Sequence, residues 1–304
     1  MAEASPGRLL SEVPPEQQHG LFANLKKFFV HYTLGAGALC VLLVIVAAAA
    51  FAPWYVPSDP LSTDFTALKA APSGEHWFGT DRLGRDVFSR VLYGARSTLV
   101  IAFIAVAIGD GFGFTIGIIS AYAGGRFDLI SQRVLEVFLA LPALILALLL
   151  GVAIGKGLDS IIIAIAVTRV PDSARVVRSR VLSIKEEPYV EAARVIGSTP
   201  LRVALRHVAP QTLSLFLVIF SINLGFAVFA EAALSYLGVG VRPPTPTWGN
   251  MLGAETSHVF RPLWWMFFFP GTAIVVTVLA MNLLGDAIRD FADPRAAERR
   301  EENQ

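Results

Sequence analysis

Long apolar runs, separated by polar stretches, dominate the pattern of residues along this chain of 304 residues. A helix that crosses about 30 Å of hydrocarbon needs about 20 predominantly apolar residues. Six runs reach or approach this length, and they lie at 30–53, 98–122, 134–155, 158–172, 209–233 and 263–287. The pattern therefore predicts an all-α, polytopic membrane protein with six transmembrane helices, of which the fourth is short.

The composition agrees with a lipid-facing surface, because 54% of the residues are hydrophobic and only 16% are charged. Soluble domains carry about 25% charged residues. The net charge of +1 provides no field that would attract nucleic acid, and the single cysteine, Cys40, excludes an intrachain disulfide. We expect the lipid bilayer, and no nucleic acid, as a partner.

Polar stretches divide the chain into five regions. We predict a disordered cytoplasmic tail, a first transmembrane helix, an extracytoplasmic loop, a core of five further helices and a second cytoplasmic tail, at 1–29, 30–53, 54–96, 97–287 and 288–304. The core contains a long polar insertion at 173–208. Within it, Gly197 and Pro200 predict a hinge between two short amphipathic helices, at 189–196 and 201–208, since Gly tolerates positive φ and Pro starts a helix. On the first of them Ala192, Val195 and Ile196 share one face.

The distribution of lysine and arginine predicts the orientation of the spans. Basic residues concentrate before the first span, between spans two and three, between spans four and five, and after span six. Because basic loops stay in the cytoplasm, these regions and both termini are expected there. The loop 54–96 is an exception, since it carries Arg82, Arg85, Arg90 and Arg96, offset in part by acidic residues.

No arrangement of residues typical of an enzyme stands out. The five histidines are scattered without metal-ligand spacing. The string 151–157 superficially resembles a phosphate-binding loop, but three residues instead of four precede its Gly-Lys pair, and Gly157 stands where Ser or Thr would hold Mg²⁺. We predict no catalytic residue, metal site or cofactor in this chain, and if the protein uses ATP, another subunit binds it.

The insertion 173–208 contains a motif that resembles a known family. Its residues are Glu191-Ala192-Ala193-Arg194, then Gly197, and Pro210 thirteen positions further on. This pattern resembles the EAA loop of bacterial ABC-importer permeases, although His207 and Ala209 replace the common Ile and Leu. The resemblance implies that these residues couple the chain to an ATP-binding subunit. The alternative is an ordinary amphipathic connection.

Four further segments resemble the C-type subunit of dipeptide and oligopeptide permeases. They lie at 78–86, 234–249, 264–271 and 282–295. The resemblance implies the type I importer permease fold in the bacterial inner membrane. It also implies a heterodimer with a related permease subunit, two cytoplasmic subunits that bind ATP and Mg²⁺, and an extracytoplasmic substrate-binding protein. Di- or oligopeptides are the implied substrates, while nickel and glutathione importers share these strings.

Three polar residues at membrane depth are candidates for the translocation pathway, namely Asp110, Asn223 and Glu231. Polar groups inside a span face the bundle interior or water. They either line the pathway or act as structural hydrogen-bond partners, where the glycines beside Asp110 let helices approach closely. Likewise, the segment 79–86 either contacts the substrate-binding protein or caps the second span.

Two other classes of protein compete with the importer hypothesis. A secondary transporter or channel would need its own coupling elements, such as unwound spans in symmetric halves, and none is evident in the sequence. An intramembrane enzyme would need a nucleophile and base, or a metal pair, at membrane depth, and no residues are spaced for either.

Overall fold

The computed structural model describes residues 29–256 and 263–292. Most of the predicted tail 1–29 and the second tail from 293 onward lie outside these residues. The helices are α1 (Thr33–Tyr55), α2 (Val87–Ala123), α3 (Gly125–Leu139), α4 (Ala143–Ile154), α5 (Leu158–Lys185), α6 (Pro188–Val195), α7 (Pro200–Val203), α8 (Ala209–Tyr236), α9 (Trp248–Thr256) and α10 (Trp264–Ala292). A π-helical turn, Ala204–Val208, joins α7 to α8. The predicted all-α class is confirmed for the described part of the chain.

The number of spans is less clear than the sequence predicted. Four helical segments are long and apolar enough to cross a membrane, or five if α3 and α4, which meet at 86°, form one broken span. The fourth predicted span, 158–172, is missing from this count. It belongs to α5, in which every 18-residue window holds more than two charged residues. The six-span prediction is therefore not reproduced by length and composition alone.

Several predicted boundaries differ from the helices in the structure. α2 begins at Val87, well before position 98, because the side chain of Asp86 caps its first turn by accepting a hydrogen bond from the Ser89 backbone N–H at 2.8 Å. α5 continues to Lys185, far beyond position 172. In both helices, charged residues end the apolar run that the sequence shows, but the helix itself continues through them.

Close packing of α2 against α5 forms the centre of the bundle. A Cβ added to Gly109 would lie 2.5 Å from the Ala166 carbonyl oxygen, and one added to Gly113 would lie 2.6 Å from the Ser173 Cβ. Gly117 makes a similar approach to Ala174. Small residues four apart on one face let helix backbones approach closely in membranes. The two helices therefore touch along a stripe of glycines.

The loop 56–86 folds over the ends of α2 and α10. Asp81 accepts hydrogen bonds from the backbone N–H groups of Leu83 and Arg85 and from the Arg85 side chain, and the Trp265 indole N–H donates to the Thr80 carbonyl at 3.0 Å. Asp81 and Thr80 are buried. These contacts and the cap by Asp86 favour the capping alternative for the segment 79–86.

Candidate functional site

Residues 173–185 of the predicted insertion belong to α5, and the rest, 186–208, folds as two short helices around Gly197. We call residues 186–208 the insertion. α6 spans Pro188–Val195, with proline in its first turn. α7 begins at Pro200, and the hydroxyl of Thr199 before it accepts a hydrogen bond from the backbone N–H of Arg202 at 3.4 Å. Proline at the first position and threonine at the N-cap favour a helix start. The predicted hinge thus separates two helices with defined ends.

The backbone at Gly197 adopts a left-handed conformation, with φ of +84°. A residue with a Cβ resists this region. The backbone N–H groups of Gly197 and Ser198 donate to the carbonyls of Arg194 and Ala193, at 2.9 and 3.1 Å. These two bonds satisfy carbonyls at the end of α6 and turn the chain sharply. Glycine at this position therefore has a conformational cause.

The inner face of the insertion is packed onto the ends of α2 and α5. Val190 and Ala193 of α6 are buried, as are Val203 and Val208 after the hinge. They share one apolar cluster with Ile118 and Ala121 of α2 and with Val177, Val181 and Ile184 of α5. Complete burial of each large aliphatic side chain stabilises such a cluster by about 1.5–3 kcal/mol. The insertion is consequently a docked element and not a loose linker.

Polar contacts reinforce this attachment. The Lys185 ammonium donates to the carbonyls of Ala121 and Tyr122, at 2.8 and 3.4 Å, which satisfies acceptors at the end of α2. The Arg178 guanidinium donates to both carboxylate oxygens of Asp128 on α3, at 2.7 and 2.6 Å. Bidentate pairs of this kind fix geometry as well as adding free energy. The helix ends beside α6 are thus tied together.

The outer face of the insertion presents large apolar side chains to the surroundings. Val195 and Ile196 are each 81% exposed, and Leu201 and Leu205 are 68% and 62% exposed. We call these four residues the docking patch. Clustered exposed apolar residues on a polar segment mark interaction surfaces. The patch lies on both sides of the hinge at Gly197, with Val195 and Ile196 before it and Leu201 and Leu205 after it.

The predicted coupling residues fall on both faces of α6. Glu191, Ala192 and Arg194 are exposed, and so is Pro210 near the start of α8. Ala193 is buried on the inner face. Its small side chain allows α6 to lie close to the apolar cluster beneath it. The predicted shared face of Ala192, Val195 and Ile196 is exposed throughout.

Asp110, Asn223 and two unpredicted residues form a buried polar cluster. The Asn223 amide donates to both oxygens of Asp110, and the Ser173 hydroxyl donates to Asp110 at 2.5 Å. The Arg169 guanidinium donates to the Asn223 side-chain oxygen at 3.3 Å. Asp110 is fully buried. The cluster joins α2, α5 and α8, and this burial favours the structural alternative for Asp110 and Asn223.

Glu231 belongs to a second buried cluster nearer the loop 56–86. Its carboxylate accepts hydrogen bonds from the hydroxyls of Thr98 and Ser235, at 2.9 and 2.7 Å. Its exposed fraction is zero. Trp248, at the start of α9, is also buried there and donates its indole N–H to the Val91 carbonyl at 2.9 Å. Glu231 therefore links α2 to α8 beside the short helix α9.

Arg169 and Ser173 were not predicted from the sequence as partners of Asp110. They stand four positions apart in α5, so they share one helix face. That spacing could have indicated a polar partner, because an arginine and a hydroxyl on one face of a membrane-spanning helix need a polar group inside the bundle. Thr98 and Ser235 carried no comparable signal.

No metal or phosphate site emerges from the described residues. Groups of three or more His, Cys, Asp or Glu that could hold a metal ion are absent from them. Lys156, in the string that superficially resembles a phosphate loop, is exposed in the turn between α4 and α5. The nearest heavy atom to a Cβ added at Gly157 is the Ser160 hydroxyl oxygen at 4.0 Å, so the turn is open.

Comparison with known proteins places these features in a family. Residues 113–298 match the family model described as "Binding-protein-dependent transport system inner membrane component". The glutathione transport system permease protein GsiD of Escherichia coli O1:K1 is 41% identical over 267 residues, which cover 87% of each chain. A putative peptide transport system permease protein of Brucella suis biovar 1 is 40% identical over 257 residues, covering 84% of this chain and 86% of the relative.

A solved structure shares the fold at lower sequence identity. The inward-facing MetNI methionine ABC transporter contains a chain that aligns with a TM-score of 0.55 and 20% identity. The alignment covers 67% of this chain and 97% of that one. The importer permease fold is therefore common to both.

Proposed function

This chain belongs to the family of binding-protein-dependent transport system inner membrane components, and we propose that it is the permease subunit through which an ATP-driven importer takes up peptides. One observation carries the mechanism: the insertion 186–208 is packed on α2 and α5 by its inner face and exposes the docking patch on its outer face. A helix whose one face is fixed and whose other face is apolar and exposed suits insertion into a groove.

The docking patch is the proposed contact with an ATP-binding subunit in the cytoplasm. Val190 and Ala193 fix α6 to the helix ends, so a displacement of the ATP-binding subunit moves α2 and α5 with it. Rigid-body motion of this type produces alternating access. ATP and Mg²⁺ are expected to bind two such partner subunits, and this chain contributes no covalent chemistry.

The remaining partners follow from the family. We propose a heterodimer with a related permease subunit, each contributing half of the pathway, and delivery of substrate by an extracytoplasmic binding protein. Both termini and the insertion face the cytoplasm in this proposal, on the basis of the lysine and arginine distribution. The protein then lies in the bacterial inner membrane.

The coupling proposal is tested by adding charge to the docking patch. Val195→Asp and Ile196→Asp would bury an unpaired carboxylate in the contact, so the ratio of ATP-binding subunit to permease in purified complexes should fall by about tenfold or more. Glu191→Lys, which reverses a charge beside the patch, should weaken the contact as well. Ser183→Asp is the matched control, because Ser183 is exposed on the neighbouring end of α5.

Normal uptake and a normal subunit ratio in Val195→Asp, Ile196→Asp and Glu191→Lys alike would contradict the coupling role. Equal losses in Ser183→Asp would also contradict it, because they would show a general effect of negative charge on this side of the bundle.

The substrate class is tested by uptake in cells that lack this chain and its relatives. Cells with the chain restored should accumulate labelled di- or oligopeptides. Restoration of glutathione uptake without peptide uptake would move the substrate to the class named for the Escherichia coli relative and leave the importer assignment intact. Restoration of nickel uptake alone would do the same for that metal.

A further inference from the structure

A groove at membrane depth separates α1 from α2. Its volume is about 530 Å³, within the range of about 300–1,000 Å³ typical of ligand sites. Every residue that lines the groove has an apolar side chain except Arg96. The walls include Leu42 and Ala50 on α1 and Phe103 and Ile104 on α2.

Arg96 differs from the other arginines of the loop end. Arg85 is paired with Asp81 at 2.6 Å, and Arg90 donates to the Pro60 carbonyl at 3.0 Å. Arg96 is exposed and has no hydrogen-bond or ion-pair partner within residues 29–256 and 263–292. A guanidinium beside an apolar groove therefore has its donors available for an anion.

The groove runs along the helices and is about as long as one lipid leaflet is thick. α1 and α2 are consecutive spans that run in opposite directions, so Ala50 lies toward the same end as Arg96, and Leu42 toward the same end as Ile104. Each of these eight-residue steps covers about 12 Å of helix. Half of the hydrocarbon thickness is about 15 Å. The groove thus runs from the membrane surface to near the bilayer centre.

Aromatic residues place the Arg96 end of the groove at the membrane surface. Trp54, one turn beyond Ala50, is 82% exposed, and Phe51 packs against it with ring centroids 5.2 Å apart. Exposed tryptophan at a helix end is typical of the interface between lipid and water. A long arginine side chain one turn deeper reaches the headgroups from there.

We propose that this groove binds a phospholipid from the leaflet on the side of loop 56–86, with the headgroup phosphate on Arg96 and an acyl chain along α1 and α2. The occupant must combine a long apolar body with an anionic group at one end, because the groove combines apolar walls with one unpaired cation. A phospholipid has this chemistry. A peptide substrate would find no hydrogen-bonding side chain below Arg96.

The test is native mass spectrometry of the intact transporter complex, titrated in detergent with phosphatidylglycerol. The wild-type complex should retain one tightly bound lipid for each copy of this chain. Arg96→Gln should weaken that binding by about tenfold or more, since one charge-assisted contact with phosphate is lost. Arg96→Lys, which keeps the cation, should lose less. Ala50→Phe should displace the lipid by filling the groove while leaving Arg96 in place.

Two control variants match these changes outside the groove. Lys156→Gln removes an exposed cation from the same end of the bundle, and Val152→Phe enlarges an exposed apolar residue on α4. Both should retain the lipid.

Three outcomes would overturn the proposal. Unchanged lipid binding in both Arg96→Gln and Ala50→Phe would show that the groove holds no specific lipid. Equal losses in the controls would show non-selective lipid around the complex. Loss of the partner permease subunit from Ala50→Phe, with lipid binding unchanged, would show that a protein helix fills the groove.

Discussion

The side-chain amide of Asn223 donates hydrogen bonds to both carboxylate oxygens of Asp110, at 3.0 and 2.9 Å, across 113 positions of sequence. The contact joins α2 to α8 in the middle of the bundle, and Ser173 brings in α5 at the same carboxylate. A buried donor left without its acceptor costs about 1–3 kcal/mol. Removal of the Asp110 carboxylate should therefore destabilise the bundle.

Asp110→Ala should lower the thermal midpoint of the purified permease in detergent by several degrees. The substitution leaves the Asn223 amide and the Ser173 hydroxyl without their acceptor, at a cost of about 1–3 kcal/mol for each unpaired group. Thermal unfolding followed by tryptophan fluorescence measures the effect. Glu136→Ala is the control, because Glu136 pairs with Arg133 at 2.7 Å and both side chains are largely exposed, at 48% and 73%, and exposed pairs contribute only about 0–1 kcal/mol. Its midpoint should change little.

The same variants separate the two roles considered for Asp110. A stable Asp110→Ala protein that has lost uptake would support a place in the translocation pathway. A destabilised protein whose uptake falls only in proportion to its abundance would support the structural role that the burial favours.

Gly113→Ala should destabilise the bundle, whereas Gly111→Ala should not. The new Cβ at position 113 would lie 2.6 Å from the Ser173 Cβ and 2.8 Å from the Val170 carbonyl oxygen, and overpacking of this kind costs about 1–3 kcal/mol. At Gly111 no heavy atom lies within 4 Å of the added Cβ. Alanine also favours helix by about 1 kcal/mol over glycine. Thermal midpoints that fall equally in both variants would disprove the close contact of α2 with α5.

Gly197→Val should abolish uptake while leaving insertion in the membrane intact. No atom lies within 4 Å of a Cβ at this position, so the effect must come from φ of +84°. A residue with a Cβ pays about 1–2 kcal/mol in that conformation, and a β-branched residue is disfavoured further. The strain should unwind the end of α6 and move Val195 and Ile196 away from their positions in the docking patch. Uptake and the subunit ratio of purified complexes measure this.

Gly197→Asn provides the matched control for that variant. Asparagine is the residue after glycine that most readily adopts the left-handed region, so it should retain most of the uptake. Normal uptake in Gly197→Val would contradict a coupling role for the hinge.

Cysteine labelling in a Cys40→Ala background should show the orientation of the chain. Ser183 and Ser73 are both exposed and stand on opposite ends of the bundle. A cysteine at position 73 should react with an impermeant reagent in cells whose outer membrane alone is opened. A cysteine at position 183 should react only after the inner membrane is permeabilised. The reverse pattern would mean that both termini face outward.

The sequence predicted the local structure of the insertion well, because the signals there are local. Pro188 and Pro200 start helices, and Gly197 ends one, so α6 lies within one residue of its predicted bounds. The apolar periodicity also placed Val195 and Ile196 on one face, and the structure shows that this face is exposed. What it did not identify is the inner face, since Val190 and Ala193 gain their partners only when α2 and α5 end beside them.

The central polar clusters could not be predicted in full from the sequence. Asp110 was recognisable as a polar residue inside an apolar span, but its partners come from α5 and α8, and their pairing depends on how these helices cross. Arg169 lies inside the short predicted fourth span, 158–172. In the structure Arg169 is buried and paired, and its guanidinium lies 4.1 Å from the Phe226 ring centroid.

Two elements that were predicted separately, the short helix 201–208 and the span 209–233, form one continuous helical segment. The helical segment runs from Pro200 to Tyr236 without interruption, through the π-helical turn. The apolar run begins only at position 209, after the helical segment has started at Pro200, so the sequence suggested two elements. Insertions of a π-helical turn within α-helices are frequent at functional sites.

The continuous helical segment joins the docking patch to the far end of the bundle. Leu201 of the docking patch lies near one end and Glu231 near the other, about 45 Å apart at a rise of about 1.5 Å per residue. The segment is attached to α2 twice, by Val203 and Val208 in the apolar cluster at the patch end and by Asn223 on Asp110 about 33 Å from Leu201. A displacement of the docking patch therefore reaches Glu231 and α9 as a joint movement of α2, α5 and α8.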